Sequence, residues 1–94
     1  MNKAEAQDIL AQELNRLQAQ RFKDLQELIN SPRVIELTGA SGVSYQIEIQ
    51  AFWDNPREIL DDLRIVASVD DGRVLSALFP LSEDFIIGAD GKLK

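Results

Sequence analysis

The sequence contains no cysteine and no histidine. Without cysteine there are no disulfide bonds and no thiol nucleophiles, and without histidine there is no imidazole acid–base catalysis. The two absences together remove the ligand sets of the usual zinc and haem sites. No cofactor motif or catalytic side-chain set is present, so we expect no catalytic residue, no cofactor and no metal site.

Long hydrophobic runs are also missing. No run of apolar residues approaches the ~20 needed to span a bilayer. The opening stretch MNKAEAQDIL lacks the continuous apolar region of a signal peptide. We therefore expect a cytoplasmic protein, of bacterial style, that does not bind membranes.

Acidic residues outnumber basic ones, 16 to 10, which gives a net charge of −6 and a pI near 4.5. Nucleic-acid phosphates and anionic membranes should repel such a chain. The charges are dispersed, which is typical of a solvated surface, although a functional acidic surface is an alternative. With 94 residues, of which 45% are hydrophobic, we expect one domain over residues 1–94.

The longest strand signal is Val43 to Trp53. Its residues alternate between an apolar and a mostly polar face, the mark of a half-buried antiparallel strand. The apolar set is Val43, Tyr45, Ile47, Ile49, Ala51 and Trp53. Tyr45 and Trp53 are most simply core anchors beneath a helix.

Residues 2–30 contain no Gly and no Pro and are rich in helix formers, so the sequence predicts one long helix. Asn2 and Glu5 have the spacing of a capping box, and Pro32 provides a stop. At 100° per residue the apolar side chains form one wide stripe. These are Ala6, Leu10, Leu14, Leu17, Phe22, Leu25, Leu28 and Ile29.

A helix from Lys3 to Asn30 would be roughly 40 Å long, more than a strand of six to eight residues at about 20–27 Å. We therefore expect its N-terminal end to overhang the sheet. Ile9, Leu10 and Leu14 would then form a contact surface for a partner or a second copy of the chain. A frayed, solvated first two turns is the alternative.

Three further strands are predicted. Arg33 to Thr38 leads through the turn Gly39–Gly42 into the central strand, and Leu63 to Asp70 follows. Asp71-Gly72 favours a type I′ hairpin. This turn would return the chain as a fourth strand over Arg73 to Phe79, ended by Pro80.

One connecting segment and the end of the chain remain. Pro56 to Asp62 is either a single helical turn capped by Asn55 or an extended excursion. Phe85 to Ile87 is predicted as a short apolar tail, followed by a turn at Ala89–Lys92.

The order of these elements predicts an α+β fold, with one long N-terminal amphipathic helix packed on a four-stranded antiparallel meander. The strand pattern leaves Phe52 and Val66 on the solvent face among polar neighbours. They form a binding patch only if they are contiguous. The candidate partner surface therefore comprises Ile9, Leu10, Leu14, Phe52 and Val66.

Paired acids occur at Asp61-Asp62, Asp70-Asp71 and Glu83-Asp84, and two carboxylates in one cleft could serve a hydrolase or a metal. Turn and capping chemistry explains them more simply. A carboxylate-dependent hydrolase would need Asp54, Asp61 or Asp84 to share a cleft. Gly39–Gly42 lacks the lysine and the strand-to-helix context of a phosphate loop, so it is read as a hairpin turn.

One combination of residues resembles a small bacterial family of uncharacterised proteins, a domain of unknown function. It consists of Gly39, Gly42, Tyr45-Gln46, Trp53-Asp54, Asp70-Asp71-Gly72 and Phe79-Pro80-Leu81. The resemblance runs from about Arg33 to Gly91 and implies a helix with an antiparallel meander, but no activity. The order of helix then strands is also similar to cystatins, whose glutamine-x-valine-x-glycine inhibitory loop has no counterpart here.

The resulting hypothesis is a non-enzymatic protein-interaction module that binds a partner protein or itself. An alternative is an acidic immunity or inhibitor-type protein that blocks a basic target. A carboxylate-dependent hydrolase is the alternative of another class. A small-ligand carrier is disfavoured because so thin a core must be filled by its own side chains.

Overall fold

The computed structural model of the chain describes residues 2–55, 62–72 and 81–94. Over these residues the elements are the helices α1 (Lys3–Gln18) and α2 (Phe22–Gln26), a 3₁₀ turn (Glu27–Ile29) and the strands β1 (Arg33–Thr38), β2 (Ser44–Trp53), β3 (Leu63–Asp70) and β4 (Leu81–Ile87). The strands form one sheet in the order β1-β2-β3-β4, with every neighbouring pair antiparallel. The α+β prediction, a helix on a four-stranded antiparallel meander, is confirmed.

The central strand β2 has the predicted alternation. Its buried positions are Tyr45, Ile47, Ile49 and Ala51, and β3 buries Leu63, Ile65, Ala67 and Val69 in the same manner. In the register, Ile47 lies opposite Val69 and Ile49 opposite Ala67, so the buried sets share one face. We call this face the inner face and the opposite one the outer face. Period-2 patterning thus produces one apolar side of the sheet.

The helical segments cover different strands of the inner face. Helix α1 makes its main contacts with β3 and β4, whereas the 3₁₀ turn contacts β2. The helical residues in the core are Ala6, Leu10, Leu14, Leu17, Leu25 and Leu28. Strand β1 therefore contributes less to the core, and Ile35 and Leu37 on its inner side are only partly buried.

The single helix predicted over residues 2–30 is divided in the structure. Helix α1 ends at Gln18, and Arg21 is extended (φ −74°, ψ 152°) before α2 begins at Phe22. In a continuous helix Leu17 and Phe22 would point about 140° apart at 100° per residue. The break lets both side chains pack against the core, although no Gly or Pro marks its position. Helix α1 alone is about 24 Å long at 1.5 Å per residue.

The predicted overhang of the N-terminal end is also wrong. Leu10 and Leu14 are only 2% and 7% exposed, because the shorter α1 lies on the sheet along its length. Ile9 is partly buried and packs against the core. Leu10 and Leu14 are therefore core residues and do not form an exposed partner surface.

The fourth strand lies further along the chain than predicted. Residues 81–87, including the supposed apolar tail, pair with β3, with Val69 opposite Leu81 and Leu63 opposite Ile87. Among the described residues, the β3 edge away from β2 is therefore paired with residues 81–87. Gly72 does have the positive φ expected of it (+81°). Segments 73–79 and 56–61, where we predicted a strand and a helical turn or excursion, lie outside the described residues.

Candidate functional site

The β1–β2 hairpin ends in a tight loop. Gly42 N–H donates to Gly39 O at 3.0 Å, and Gly39 N–H donates to Val43 O at 2.8 Å. Gly42 has φ +88°, a conformation that glycine adopts without a steric penalty. The loop is thus a turn followed by a glycine bulge, which confirms the hairpin predicted at Gly39–Gly42.

Glu5 joins α1 to this loop. Its carboxylate accepts hydrogen bonds from Ser41 N–H (2.9 Å), the Ser41 hydroxyl (2.6 Å) and the Tyr45 hydroxyl (2.7 Å). Asn2 Oδ1 meanwhile accepts from Glu5 N–H at 3.1 Å, so only one half of the predicted capping box forms. The Glu5 side chain connects the helix to the sheet instead of returning to Asn2.

These hydrogen bonds shift two ionisation equilibria. The Ser41 hydroxyl, then the Tyr45 hydroxyl and the Ser41 N–H, stabilise the charged form of Glu5 and lower its pKa. Burial of the Tyr45 ring, together with the nearby Glu5 carboxylate, raises the pKa of Tyr45. Glu5 is therefore an ionised anchor whose hydrogen bonds go to the protein itself.

A second charged cluster lies on the outer face around Arg64. The Arg64 guanidinium donates to Asp54 Oδ1 through Nε (3.1 Å) and Nη2 (2.8 Å), and it also pairs with Asp84. Hydrogen bonds from both carboxylates, Asp54 first, raise the pKa of Arg64. The single positive charge is thus neutralised within the protein.

Apolar side chains surround this cluster. In the register Phe52 lies opposite Arg64, and Arg64 lies opposite Ile86, so the three form one row across β2, β3 and β4. Val66, two residues along β3, lies diagonal to both Phe52 and Ile86, within the reach of an aromatic side chain. We call Phe52, Val66 and Ile86 the outer-face patch. Phe52 is 48% exposed, and the other two are partly exposed.

Of the five predicted surface residues, the structure therefore keeps Phe52 and Val66 together. Ile9 lies elsewhere, on a groove between α1 and β1. Sequence patterning did not reveal Ile86 because its strand does not alternate cleanly. Glu83 lies on the inner side of that strand, opposite Ala67, where an apolar residue would be expected. An uninterrupted alternation of apolar and polar residues over 81–87 would have identified the strand and placed Ile86 on its outer side.

Acidic side chains lie to one side of the outer-face patch. Beyond the pairs made by Arg64, the outer side of the described strands carries the carboxylates Glu36, Glu48 and Asp70, which lie in register with outer-face residues. No lysine and no second arginine occur at the described outer-face positions. A contact surface here has an apolar centre and negative charge to one side, with Glu48 in the row next to that of Val66 and Asp70 four residues along β3 from it.

Carboxylates do not form a metal site in the part of the chain that is described: no group of three or more acidic side chains could hold an ion there. Asp54 and Asp84 are brought together, but through the guanidinium of Arg64. Asp61, the other acid named in the hydrolase hypothesis, lies outside the described residues.

No helix among the described residues is long and apolar enough to cross a membrane.

Comparison of the chain with protein-family models, with curated proteins and with solved structures finds no match. The resemblance drawn from the turn residues thus stays a prediction.

Proposed function

We propose that this protein is a non-enzymatic interaction module that binds a basic partner protein through the outer-face patch. One observation carries the proposal: the register places Phe52 and Ile86 on either side of Arg64, with Val66 diagonal to both. Side chains scattered singly over a surface need no explanation, whereas adjoining ones indicate a contact site.

Charge supports a basic partner. The acidic side chains beside the patch would oppose a second copy of the same face, because the carboxylates of both copies would be brought together. A partner with Lys or Arg beside an apolar centre would match both parts of the surface. The paired charge of Arg64 also lets its alkyl stem add to the apolar area.

The experiment compares two exposed apolar residues of the same face. Phe52→Ser removes the centre of the patch, and Val34→Ser is the matched control because Val34 is 54% exposed and lies on β1, a strand that contributes no residue to the patch. Each variant is immobilised and used to capture proteins from a lysate of the source organism. A basic protein captured by the wild type and Val34→Ser, but not by Phe52→Ser, is the expected result. Equal capture by all three, or none by the wild type, would contradict the proposal.

Salt separates this proposal from the acidic inhibitor hypothesis. Apolar docking should survive ionic strength of about 0.3 M, because screening weakens charge contacts but not burial. Binding that is lost at this salt concentration and is insensitive to Phe52→Ser would favour acidic blockade of a basic target. Light scattering on the purified protein tests self-association, and a dimer dispersed by Phe52→Ser would show that the partner is a second copy.

The carboxylate-dependent hydrolase has a separate test. Asp54→Asn and Asp84→Asn each remove one of the two acids that converge on Arg64. Glycosidase substrates assayed with the wild type would have to show turnover that both variants abolish. We favour the interaction module because the two carboxylates are already engaged by a guanidinium.

A further inference from the structure

Strand β1 has an open edge. It stands at one end of the sheet, and β2 is its only strand partner within the described residues. At the other end, β4 is partly covered, since Leu93 forms a bridge with Ile87 and Lys94 N–H donates to Ile86 O at 2.9 Å. No residue within the described ranges pairs in this way with β1. The two edges of the sheet therefore differ.

The orientation of the backbone groups of β1 follows from the hairpin. Gly39 N–H bonds to Val43 O, in the same register as the strand pairs. Bonded positions alternate along an antiparallel ladder, so Leu37 and Ile35 also direct their groups toward β2. Val34, Glu36 and Thr38 therefore direct N–H and C=O toward the open edge. A further strand would find regularly spaced donors and acceptors there.

Beyond its first residue, Arg33, strand β1 also lacks the features that protect sheet edges. Inward charges, Pro, Lys and bulges are the usual ones. Strand β4 carries such an inward charge, because Glu83 lies on the inner side opposite Ala67. Between Val34 and Thr38 there is no Pro and no Lys, and the pairing with β2 is continuous. Only Glu36 is charged there, and it lies on the outer side; the inward charge of β1 is Arg33, at the first position of the strand and opposite Ile49.

A groove of about 490 Å³ runs between α1 and the end of β1. Ile9 and Leu37 supply apolar side chains to it, and Glu5 and Asp8 supply negative charge. It exists because α1 packs mainly on β3 and β4 and leaves the inner side of β1 partly uncovered. The open edge and the groove adjoin each other at Leu37.

We propose that this edge binds an extended segment of a partner protein as a fifth strand, one with alternating apolar and basic side chains. Its backbone bonds to Val34, Glu36 and Thr38. Its apolar side chains enter the groove over Ile9 and Leu37, and its Lys or Arg side chains lie near Glu36 on the outer side. This is strand addition beside a helix, in which backbone bonds supply affinity and the groove supplies specificity. The site is separate from the outer-face patch and does not depend on it.

Charge selects such a segment over a second copy of β1. Two β1 strands paired antiparallel around Glu36 would set the two Glu36 carboxylates directly opposite, which is destabilising. Each copy also carries a net charge of −6. A basic segment would instead be attracted both by the Glu36 carboxylate and by the net negative charge of the chain.

The test uses a blocked peptide of alternating valine and lysine, titrated into the isotope-labelled full chain and followed by backbone amide NMR. The expected shifts fall on residues 34–38 and on Ile9. A peptide of alternating valine and glutamate should not bind. A valine–lysine peptide with alternate amides N-methylated should bind at least about tenfold more weakly, because it cannot complete the ladder.

Protein variants separate the backbone from the charge. Glu36→Pro removes an outward N–H without breaking a bond to β2, so the fold should persist, as checked by circular dichroism, while affinity falls at least about tenfold. Glu36→Gln, which keeps the N–H, should weaken binding about threefold as expected for one partly exposed charge. Glu48→Gln makes the same charge change on β2, away from the edge, and should leave binding unchanged.

Shifts confined to β1 and Ile9, together with loss of binding in Glu36→Pro, would support the proposal. It would be overturned by an absence of binding at about 1 mM peptide, the limit of weak recognition. Equal weakening by Glu48→Gln and Glu36→Gln, or shifts centred on Phe52, would overturn it as well. A wild-type dimer that Glu36→Pro converts to monomer would show that the occupant is a second copy. Phe52→Ser should leave peptide binding intact, so failure here is distinguishable from failure of the outer-face proposal.

Discussion

The carboxylate of Glu5 occupies the space that a side chain at position 39 would need. A β-carbon added to Gly39 would lie 2.4 Å from Glu5 Oε1 and 2.5 Å from its Cδ. Gly39 does not have a positive φ, so this glycine serves close approach and not an unusual backbone conformation. The contact between α1 and the hairpin thus depends on two features: the carboxylate of Glu5 and the absence of a side chain at Gly39.

We expect Gly39→Ala to destabilise the protein by displacing the Glu5 carboxylate from Ser41 and Tyr45. In a Glu5→Ala background the same change should have little effect, because the carboxylate is no longer there. Midpoint temperatures of the wild type, both single variants and the double variant measure this coupling. Additive losses would mean that Gly39 and Glu5 act independently. Gly42→Ala is the contrasting control, since strain at φ +88° should persist without Glu5.

The stability conferred by Glu5 should depend on pH. Its folded-state pKa lies below the usual value of 4.5, so the folded state favours the ionised form. The contribution is therefore complete above about pH 4.5 and is lost as the pH falls through the lower, folded-state pKa. Urea unfolding of the wild type and Glu5→Gln should differ at pH 7 and converge in acid. A difference that grows as the pH falls would contradict the sign.

Leu10 and Leu14 should behave as core residues. Leu10→Ala and Leu14→Ala are each expected to reduce the free energy of unfolding by about 2–5 kcal/mol, from lost burial and the cavity left behind. Ile9→Ala should cost less, because Ile9 is only partly buried. Chemical denaturation followed by the fluorescence of Trp53, the only tryptophan, measures all three. Leucine variants as stable as the wild type would restore the overhanging-helix hypothesis.

Glu13 of α1 carries a buried carboxylate. It is 5% exposed, its Oε2 lies 3.3 Å from Arg16 Nη1, and its Oε1 has no hydrogen-bond partner among the described residues. Replacement by methionine, of similar volume, should raise the free energy of unfolding by about 1–3 kcal/mol because the unsatisfied oxygen is removed. Arg16→Gln leaves the buried carboxylate without its counter-charge, so it should lower the free energy of unfolding in the wild type but change it little in the Glu13→Met background. A less stable Glu13→Met would assign the carboxylate a stabilising role.

Much of the architecture is determined locally by the sequence. Period-2 patterning in residues 43–53 and 63–70 specifies two half-buried strands. Glycines at 39 and 42 specify the hairpin between β1 and β2, and good helix formers before Pro32 specify the helical segment. These signals lie within a few residues of one another, so they could be recognised without knowledge of the fold. The α+β class follows from their order.

Tertiary packing decided the rest. No Gly or Pro marks the break between Gln18 and Phe22. The break arises because Leu17 and Phe22 would point about 140° apart in a continuous helix, whereas both pack against the core. Residues 81–87 became β4, despite Glu83 on their inner side, because they pair in register with β3. Glu5 meets Ser41 and Tyr45 across 36 and 40 positions. Alternation indicated Phe52 and Val66, but Ile86 and the open edge of β1 followed only from the strand order, since contacts between distant segments depend on the assembled sheet.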